Sequence, residues 1–325
     1  MTPLHPWNEP VFESLKRRID TLPHALLVHG PRGVGKLTLA ERVAQLLLCE
    51  ATEPARKPCG ACEGCRWYLG GNHPDFRRIE PEALAPQVET EGEEGVAPAR
   101  KGKPSQAIKI EQVRELADFL NIGSHRGRRR VALVHPADAM NDPAANAFLK
   151  GLEEPPAGAM FILVAHRPMQ LLPTIRSRCV AIPVAVPPRE AGLKWLAAQK
   201  LEGAERWLAY AGGAPLRALD YAAKADTVDR LLKVIEARGP LLVDDREELE
   251  ALAEALQKIA FDHALAAFGA QPKYAAMPVK ASPSQAKAWL AFARQMGKNR
   301  DLARHPLTPR LFAAEMLSGM PPQER

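Results

Sequence analysis

Residues Leu26–Ala40 read LLVHGPRGVGKLTLA, an apolar run that passes through a glycine-rich turn into a helical pattern. Gly30, Gly33, Gly35 and Lys36 fit G-x-x-x-x-G-K-[ST]. In that motif backbone N–H groups close around phosphate oxygens, the lysine neutralises them and a hydroxyl holds Mg²⁺. Here the hydroxyl position is Leu37. Thr38 comes one residue later, about 100° around a helix and aimed elsewhere. The stretch predicts a phosphate cradle with a damaged metal seat. Hydrolysis is not expected there, because a lost metal ligand weakens charge neutralisation in phosphoryl transfer.

Upstream, Val11, Leu15 and Ile19 recur at helical spacing within Trp7 to Leu22, and Pro23 closes that segment. Downstream, a helix from about Lys36 to Leu48 places Leu39, Val43, Leu46 and Leu47 on one side, suited to packing on a sheet. That helix runs into Cys49, Cys59, Cys62 and Cys65. Two successive C-x₂-C steps and a thiol ten residues upstream supply four soft ligands for a tetrahedral, structural Zn²⁺, with no position left for water. Pro58, Gly60 and Gly64 permit the turns between ligands. Free thiols and an iron–sulfur cluster are the other readings of the same pattern. Cys179 stands alone and reads as a small buried residue, not a nucleophile.

From Pro81 to Gln106 the composition turns to Pro, Gly, Ala and clustered charge, as expected of a solvated, poorly ordered insertion. Helical spacing resumes over Ile108 to Leu120, through Ile110, Val113, Leu116, Ala117 and Leu120. Arg126, Arg128, Arg129 and Arg130 then form either a solvated turn or a contact for an anion. Val131 to Val134 reads as a strand covered on both faces. In P-loop ATPases such a strand ends in Asp-Glu, for the metal and the attacking water. This one ends in His135 and Pro136, and Asp138 beyond it reads as a turn or cap residue. Asp142 before Pro143 predicts a helix start, N-cap then first turn, and Pro155-Pro156 stops that helix. A further strand covers Met160 to Ala165, and Leu171 to Val180, LLPTIRSRCV, carries two arginines that read from the residues alone as surface ion pairs or solvent-exposed side chains, though their forked guanidinium groups also match phosphate.

At 325 residues, 46% hydrophobic and 25% charged, the chain has material for two or three domains. A net charge of +6 suits a nucleic-acid or polyanion partner without establishing one. No apolar run approaches the ~20 residues of a membrane span and no apolar signal segment is evident, so a cytoplasmic protein with no membrane partner is expected. Clustered cysteines in a reducing compartment favour metal over disulfides.

GPRGVGK, the four-cysteine insert, NDPAANAFLKGLEEPP and TIRSRC, in this order and spacing, resemble the clamp-loader branch of the AAA+ ATPases, the clamp loaders of bacterial DNA polymerase III in particular. The resemblance covers about residues 20 to 220. It implies a RecA-like AAA+ α/β domain with a parallel sheet and a Cys₄ zinc insert (49–65) over residues 1–185, a helical lid over 186–227 and an all-α collar over 228–325. It further implies a hetero-pentameric ring with gamma/tau and delta subunits, which opens the sliding β clamp and places it on primed DNA using ATP. Motor subunits of that family keep the hydroxyl and the Asp-Glu pair. The departures at Leu37, His135 and Pro136 are those of a subunit that does not hydrolyse ATP, with ATP occupancy of Gly30, Gly33, Gly35 and Lys36 left open. By the same resemblance Arg178, before the cysteine of SRC, is an arginine finger acting in trans, and Arg217 in GGAPLRAL holds the position called sensor 2.

Two other classes compete. A self-sufficient AAA+ ATPase, a motor subunit or a helicase-like protein, requires the missing hydroxyl and carboxylates. A zinc-dependent nucleic-acid-binding module requires strong, salt-sensitive DNA affinity that Cys62→Ser abolishes. Arg246 to Phe268 and Ser284 to Arg304 are long, proline-free and amphipathic, with Trp289, Leu290 and Phe292 as packing residues.

Overall fold

A computed structural model describes residues 3–85, 104–122, 129–239, 243, 245–279, 282–303 and 308–322. The chain divides into two compact units, Met1–Val186 and Pro187–Arg325.

The first unit contains α1 (Glu9–Lys16), β1 (Ala25–His29), α2 (Lys36–Leu48), α3 (Glu63–Leu69), β2 (Phe76–Ile79), α4 (Ile110–Asn121), β3 (Arg130–Val134), α5 (Asp142–Glu153), β4 (Ala159–Ala165), α6 (Pro173–Arg178) and β5 (Val180–Pro183). Its five strands form one parallel sheet in the order β2-β3-β4-β1-β5, the AAA+ arrangement. β1 lies between β4 and β5, with Leu26 opposite Ile162 and Val180. Residues 25–28 and all of β3 and β4 are buried, as a parallel sheet covered on both faces requires. Alternation divides those side chains between the faces. Leu27, Val134, Phe161 and Leu163 join Leu116, Phe119 and Phe148 in one core, while α2 packs on β3 and β4.

Three local expectations shift. Asn141, not Asp142, caps α5: its side chain accepts from the Ala144 N–H at 2.9 Å, and Asp142 with Pro143 forms the first turn. A capping carboxamide and a first-turn acid both favour a helix N-terminus, so the two residues exchange roles without cost. In α4 the buried side is Val113, Leu116, Phe119 and Leu120, whereas Ala117 faces solvent. Between Trp7 and Leu22 only Glu9–Lys16 is α-helical, flanked by 3₁₀ turns at Pro6–Asn8 and Ile19–Thr21.

Of the segment read as a poorly ordered insertion, residues 86–103 lie outside the described residues. Its flanks meet, with the Ala83 N–H donating to the Ser105 carbonyl at 3.0 Å. Arg126 and Arg128 also fall outside. Arg130 is no surface contact. It is 3% exposed, with Nε 3.3 Å from Asp75 and its guanidinium 4.6 Å from the centre of the Phe119 ring.

Among the described residues the second unit is all helical: α7 (Arg189–Ala198), α8 (Ala204–Tyr210), α9 (Pro215–Ala222), α10 (Ala225–Ala237), α11 (Arg246–Ala267), α12 (Ala286–Leu302) and α13 (Pro309–Ser318). One apolar cluster gathers Leu196, Trp207, Leu208, Tyr210, Ala218 and Val228. A larger one gathers Leu252, Leu256, Trp289, Phe292, Met296 and Met316 with Leu231 and Ile235, so α10 contributes to both. Trp289 is fully buried and stacks on His263 with ring centres 4.2 Å apart, a packing residue as its spacing implied. No helix among the described residues is long and apolar enough to cross a membrane.

Candidate functional site

A parallel sheet brings the C-terminal ends of its strands to one edge, where such folds place their ligands. Here the turns after β1, β3 and β4 carry Gly30, His135 and His166. Gly30 is held by the β4 end through its N–H to the Ala165 carbonyl at 3.3 Å. A Cβ at Gly30 would lie 2.1 Å from the Val184 carbonyl oxygen, so glycine is a steric requirement at that position. Gly35 caps α2 at φ +81°, a backbone that L side chains avoid, and a Cβ there would meet the His5 ring at 2.3 Å.

His5 belongs to a clip that the sequence reading missed. Trp7 Nε1 donates to the Val34 carbonyl at 3.0 Å, and Asn8 Nδ2 donates to the Val34 and Gly35 carbonyls at 3.0 and 3.2 Å. An Asn and a Trp just ahead of a short amphipathic helix were the available signals. Neither names a distant carbonyl partner.

Lys36 is 3% exposed, and its Nζ donates to the Gly30 carbonyl at 2.7 Å and to the Pro31 carbonyl. Burial pulls its ammonium down to about 7, with Asp138 drawing it back up and Arg32 pushing it further down. The ring centres of His135 and His166 lie 5.6 Å apart, edge to face, and the Nδ1 atom of each is buried without a hydrogen-bond partner. Burial, then the surrounding cations, hold His135 at about 4 and His166 at about 2, so both rings are neutral near pH 7. Asp138 is the nearby acid. Its Oδ1 accepts the His166 backbone N–H at 2.7 Å and its Oδ2 is 3.9 Å from Arg167 Nε, so it ties the ends of β3 and β4 together.

The other centre lies at the far end of α2. Cys49 follows that helix, Cys62 caps α3 and Cys65 sits in its first turn. The sulfurs of Cys49, Cys59, Cys62 and Cys65 all lie within 4.8 Å of one another, with Cys49 and Cys62 3.9 Å apart. Zn–S bonds of about 2.3 Å in a tetrahedron give S···S edges of about 3.8 Å, so the set fits the metal. Backbone N–H groups of Glu50, Cys59, Cys62 and Cys65 donate to these sulfurs at 3.3–3.4 Å, which favours thiolates. A Cβ at Gly64 would lie 2.6 Å from the Leu48 carbonyl, which keeps α3 close to the end of α2. Tyr68 adds a bond from its hydroxyl to the Glu41 carbonyl at 2.8 Å. Cys179 is apart from this set. It packs against the sheet core, and burial pushes its thiol up to about 11, as a structural cysteine would show.

Two arginines complete the inventory. Arg178 ends α6 with its side chain 35% exposed, Nη2 2.7 Å from Glu153 and Nη1 donating to the Thr174 carbonyl at 3.0 Å. Arg217 in α9 is bound within the second unit, with Nη2 2.9 Å from Glu254 and Nε donating to the Tyr221 hydroxyl at 3.1 Å. Lys258 and Arg300 approach the same carboxylate at 3.7 and 3.6 Å. Burial opposes ionisation of Glu254, yet Lys258, Arg300 and Arg217 hold it at about 2.

A glycine cradle with its lysine, on this sheet order and with Leu37, His135 and Pro136 where the motif's oxygen groups would stand, defines a degenerate P-loop protein of the AAA+ class. Residues 7–187, more than half of the chain, match the family described as DNA polymerase III, delta subunit, and the chain belongs to that family. It is 38% identical over 222 residues to the DNA polymerase III subunit delta' of Pseudomonas aeruginosa, covering 67% of this chain and 61% of that one. Against the Escherichia coli subunit delta' it is 35% identical over 194 residues, 59% of this chain and 52% of the relative. The subunit tau of Salmonella typhimurium matches at 34% over half of this chain and 22% of its own length. The matches thus span about half to three-fifths of the delta' relatives' length.

Proposed function

We propose that this chain is a non-hydrolysing delta-prime subunit of the DNA polymerase III clamp loader. It sits in a hetero-pentameric ring with gamma/tau and delta subunits, helps load the sliding β clamp onto primed DNA in the cytoplasm, and supplies Arg178 in trans to the ATP of a neighbouring motor subunit. Residues 1–185 serve as the AAA+ domain, 186–227 as the lid and 228–325 as the collar that joins the ring. The Cys₄ centre holds a structural Zn²⁺, and any ATP in the loop is not hydrolysed.

One observation carries this reading. The loop keeps its glycines and Lys36, while the positions that would hold Mg²⁺ and the attacking water are Leu37, His135 and Pro136, none of them an oxygen ligand. Mg²⁺ is a hard cation that takes oxygen, so the residues present do not fit it. The arginine role is supported by the placement of Arg178 at the end of α6, where, among the described residues, its fork meets a half-exposed Glu153 and a backbone carbonyl. A guanidinium at a phosphoryl group is worth about 10³-fold or more in rate. In the reconstituted ring, Arg178→Ala is therefore expected to lower turnover at the adjacent site by about that factor, with ring assembly intact. Unchanged DNA- and clamp-stimulated turnover would remove the finger assignment. The isolated chain is expected to show negligible ATPase, and motor-like turnover lost on Lys36→Ala would replace the whole proposal with a self-sufficient ATPase.

A further inference from the structure

In the second unit α8, α9, α11 and α12 meet around one carboxylate. Glu254 on α11 accepts the Tyr221 hydroxyl on Oε1 at 2.6 Å and Arg217 Nη2 on Oε2 at 2.9 Å, both from α9. Lys258, one turn on in α11, and Arg300 of α12 stand 3.7 and 3.6 Å from Oε1. The Tyr221 hydroxyl also accepts from Arg217 Nε at 3.1 Å and from Lys258 Nζ at 2.6 Å, so its donor and both its acceptor positions are filled. The Lys258 ammonium lies 3.8 Å from the ring centre of Tyr210 in α8 and 3.8 Å from that of Tyr221. A second tie is independent of these charges. Asp262 on α11, 1% exposed, accepts the backbone N–H groups of Lys273, Tyr274 and Ala276 at 2.7, 2.9 and 3.4 Å. The segment after α11 is thereby folded back. A Cβ at Gly212, in the turn between α8 and α9, would lie 2.9 Å from the Tyr274 ring, and Ala276 packs against both apolar clusters of the unit.

Apolar packing does not demand such a set. The hydrophobic effect is non-directional, so the side chains that α10 gives to both clusters hold the helices close without fixing an angle. Polar groups out of water are directional: turn α9 on α11, and Arg217, Tyr221 and Glu254 are each left buried without a partner. We propose that the Glu254 hub, with Asp262 as its second tie, is an orientation lock that fixes α7–α9 on α11–α13 at one angle, so that the two helical layers move as one body. The lock acts on that angle more than on stability. Ion pairs taken out of water little more than offset the desolvation of their members, whereas loss of Glu254 alone leaves Arg217, Lys258 and Arg300 gathered without it. Arg217, at the position called sensor 2, is a positioning residue of this lock. The inference goes beyond the clamp-loader reading, because it concerns the second unit alone and holds whether or not the chain joins a ring.

The test places spin labels on the full chain at Glu202, between α7 and α8, and at Arg294 on α12, both exposed. They are attached through unnatural residues, so that the cysteines stay untouched. Pulsed electron–electron resonance on the labelled chain is expected to give one narrow distance distribution. The hub is then replaced as a whole by apolar groups of similar volume, Arg217→Met, Tyr221→Phe, Glu254→Leu and Lys258→Met together, with Arg300 keeping Glu250 at 3.6 Å. The unfolding equilibrium constant of this variant is expected to stay within about tenfold of the native value, while the distance distribution broadens or splits. Glu254→Leu alone is expected to raise the unfolding constant about 100-fold or more. Asp262→Ala, which frees the Tyr274 segment and leaves the hub residues in place, is expected to broaden the same distribution to a lesser degree. The original narrow distance in the fourfold variant would overturn the proposal. A fourfold variant that fails to fold would overturn it as well, by making the hub an element of stability, and so would Glu254→Leu with native stability, by showing that the carboxylate holds no charges together.

Discussion

The two ends of α2 carry two centres built on different terms. At its N-terminus the phosphate loop is made of backbone: Gly30 and Gly35 are fixed by close approach and by φ, while side-chain ligands for a metal are missing. Beyond its C-terminus the cysteine module is made of side chains, and all four sulfurs are present and gathered. A backbone cradle survives the loss of its metal seat because the same turns also join β1 to α2 and dock the N-terminal clip. A four-ligand site has no such second use, and with one sulfur removed there is little left to hold the loop between Cys49 and Cys65. A helix N-terminus favours negative charge in both places, at the loop that opens α2 and at Cys62 and Cys65 where α3 begins.

The sharpest way to break this contrast is to deny the four cysteines the metal proposed for them. If the module holds the Zn²⁺ proposed above, metal binding is folding free energy, and stripping it, or Cys62→Ser, is expected to destabilise the module by several kcal/mol. Hydrogen exchange should show lost protection in α3 and around Tyr68, while the loop amides at the other end of α2 keep theirs. Protection lost equally at both ends would mean that the cysteine module and the phosphate loop form one cooperative structure.

The cysteine centre was legible because its ligands are close in sequence and their spacing is itself the geometry. The same holds for α2, whose bounds Lys36–Leu48 follow from the apolar spacing and the loop before it. What escaped was set by distant partners. Arg130 reads as part of a basic run, and only the arrival of Asp75 and Phe119 makes it a buried ion pair. Arg217 has Tyr221 one turn on in its own helix, but carries no local sign that Glu254, Lys258 and Arg300 gather beside it. His166 was legible in principle, since it follows β4 as His135 follows β3. Its pairing with His135 needed the strand order.

Two glycine substitutions sharpen the backbone half of the contrast. Gly30→Ala puts a methyl against the Val184 carbonyl, a backbone group that cannot swing away, and is expected to cost about 3 kcal/mol or more, read by denaturant unfolding. Gly35→Ala meets a side chain instead and adds the penalty of a left-handed backbone, together about 2 kcal/mol. Adding His5→Ala to Gly35→Ala should recover the larger part of the steric cost and leave the Asn8 Nδ2 contact at 2.9 Å with the backbone part, about 1 kcal/mol. If the double variant recovers nothing, the His5 ring does not crowd this turn.

The smallest expected effect concerns Lys36 in the empty loop. Its ammonium is held at about 7, against 10.5 in the unfolded chain, chiefly by burial. Between those values the unfolded state binds more protons than the folded one, so this residue makes stability rise with pH across that window. The burden of the buried charge is full below pH 7 and has gone above 10.5. Between pH 7 and pH 8 the rise is about 1 kcal/mol. Lys36→Met should remove it, leaving a similar contribution from Lys258, whose ammonium burial also draws down to about 7. Unfolding midpoints at the two pH values, compared between the native chain and this variant, measure the difference. An unchanged pH slope would mean that Lys36 is charged in the empty loop at pH 8.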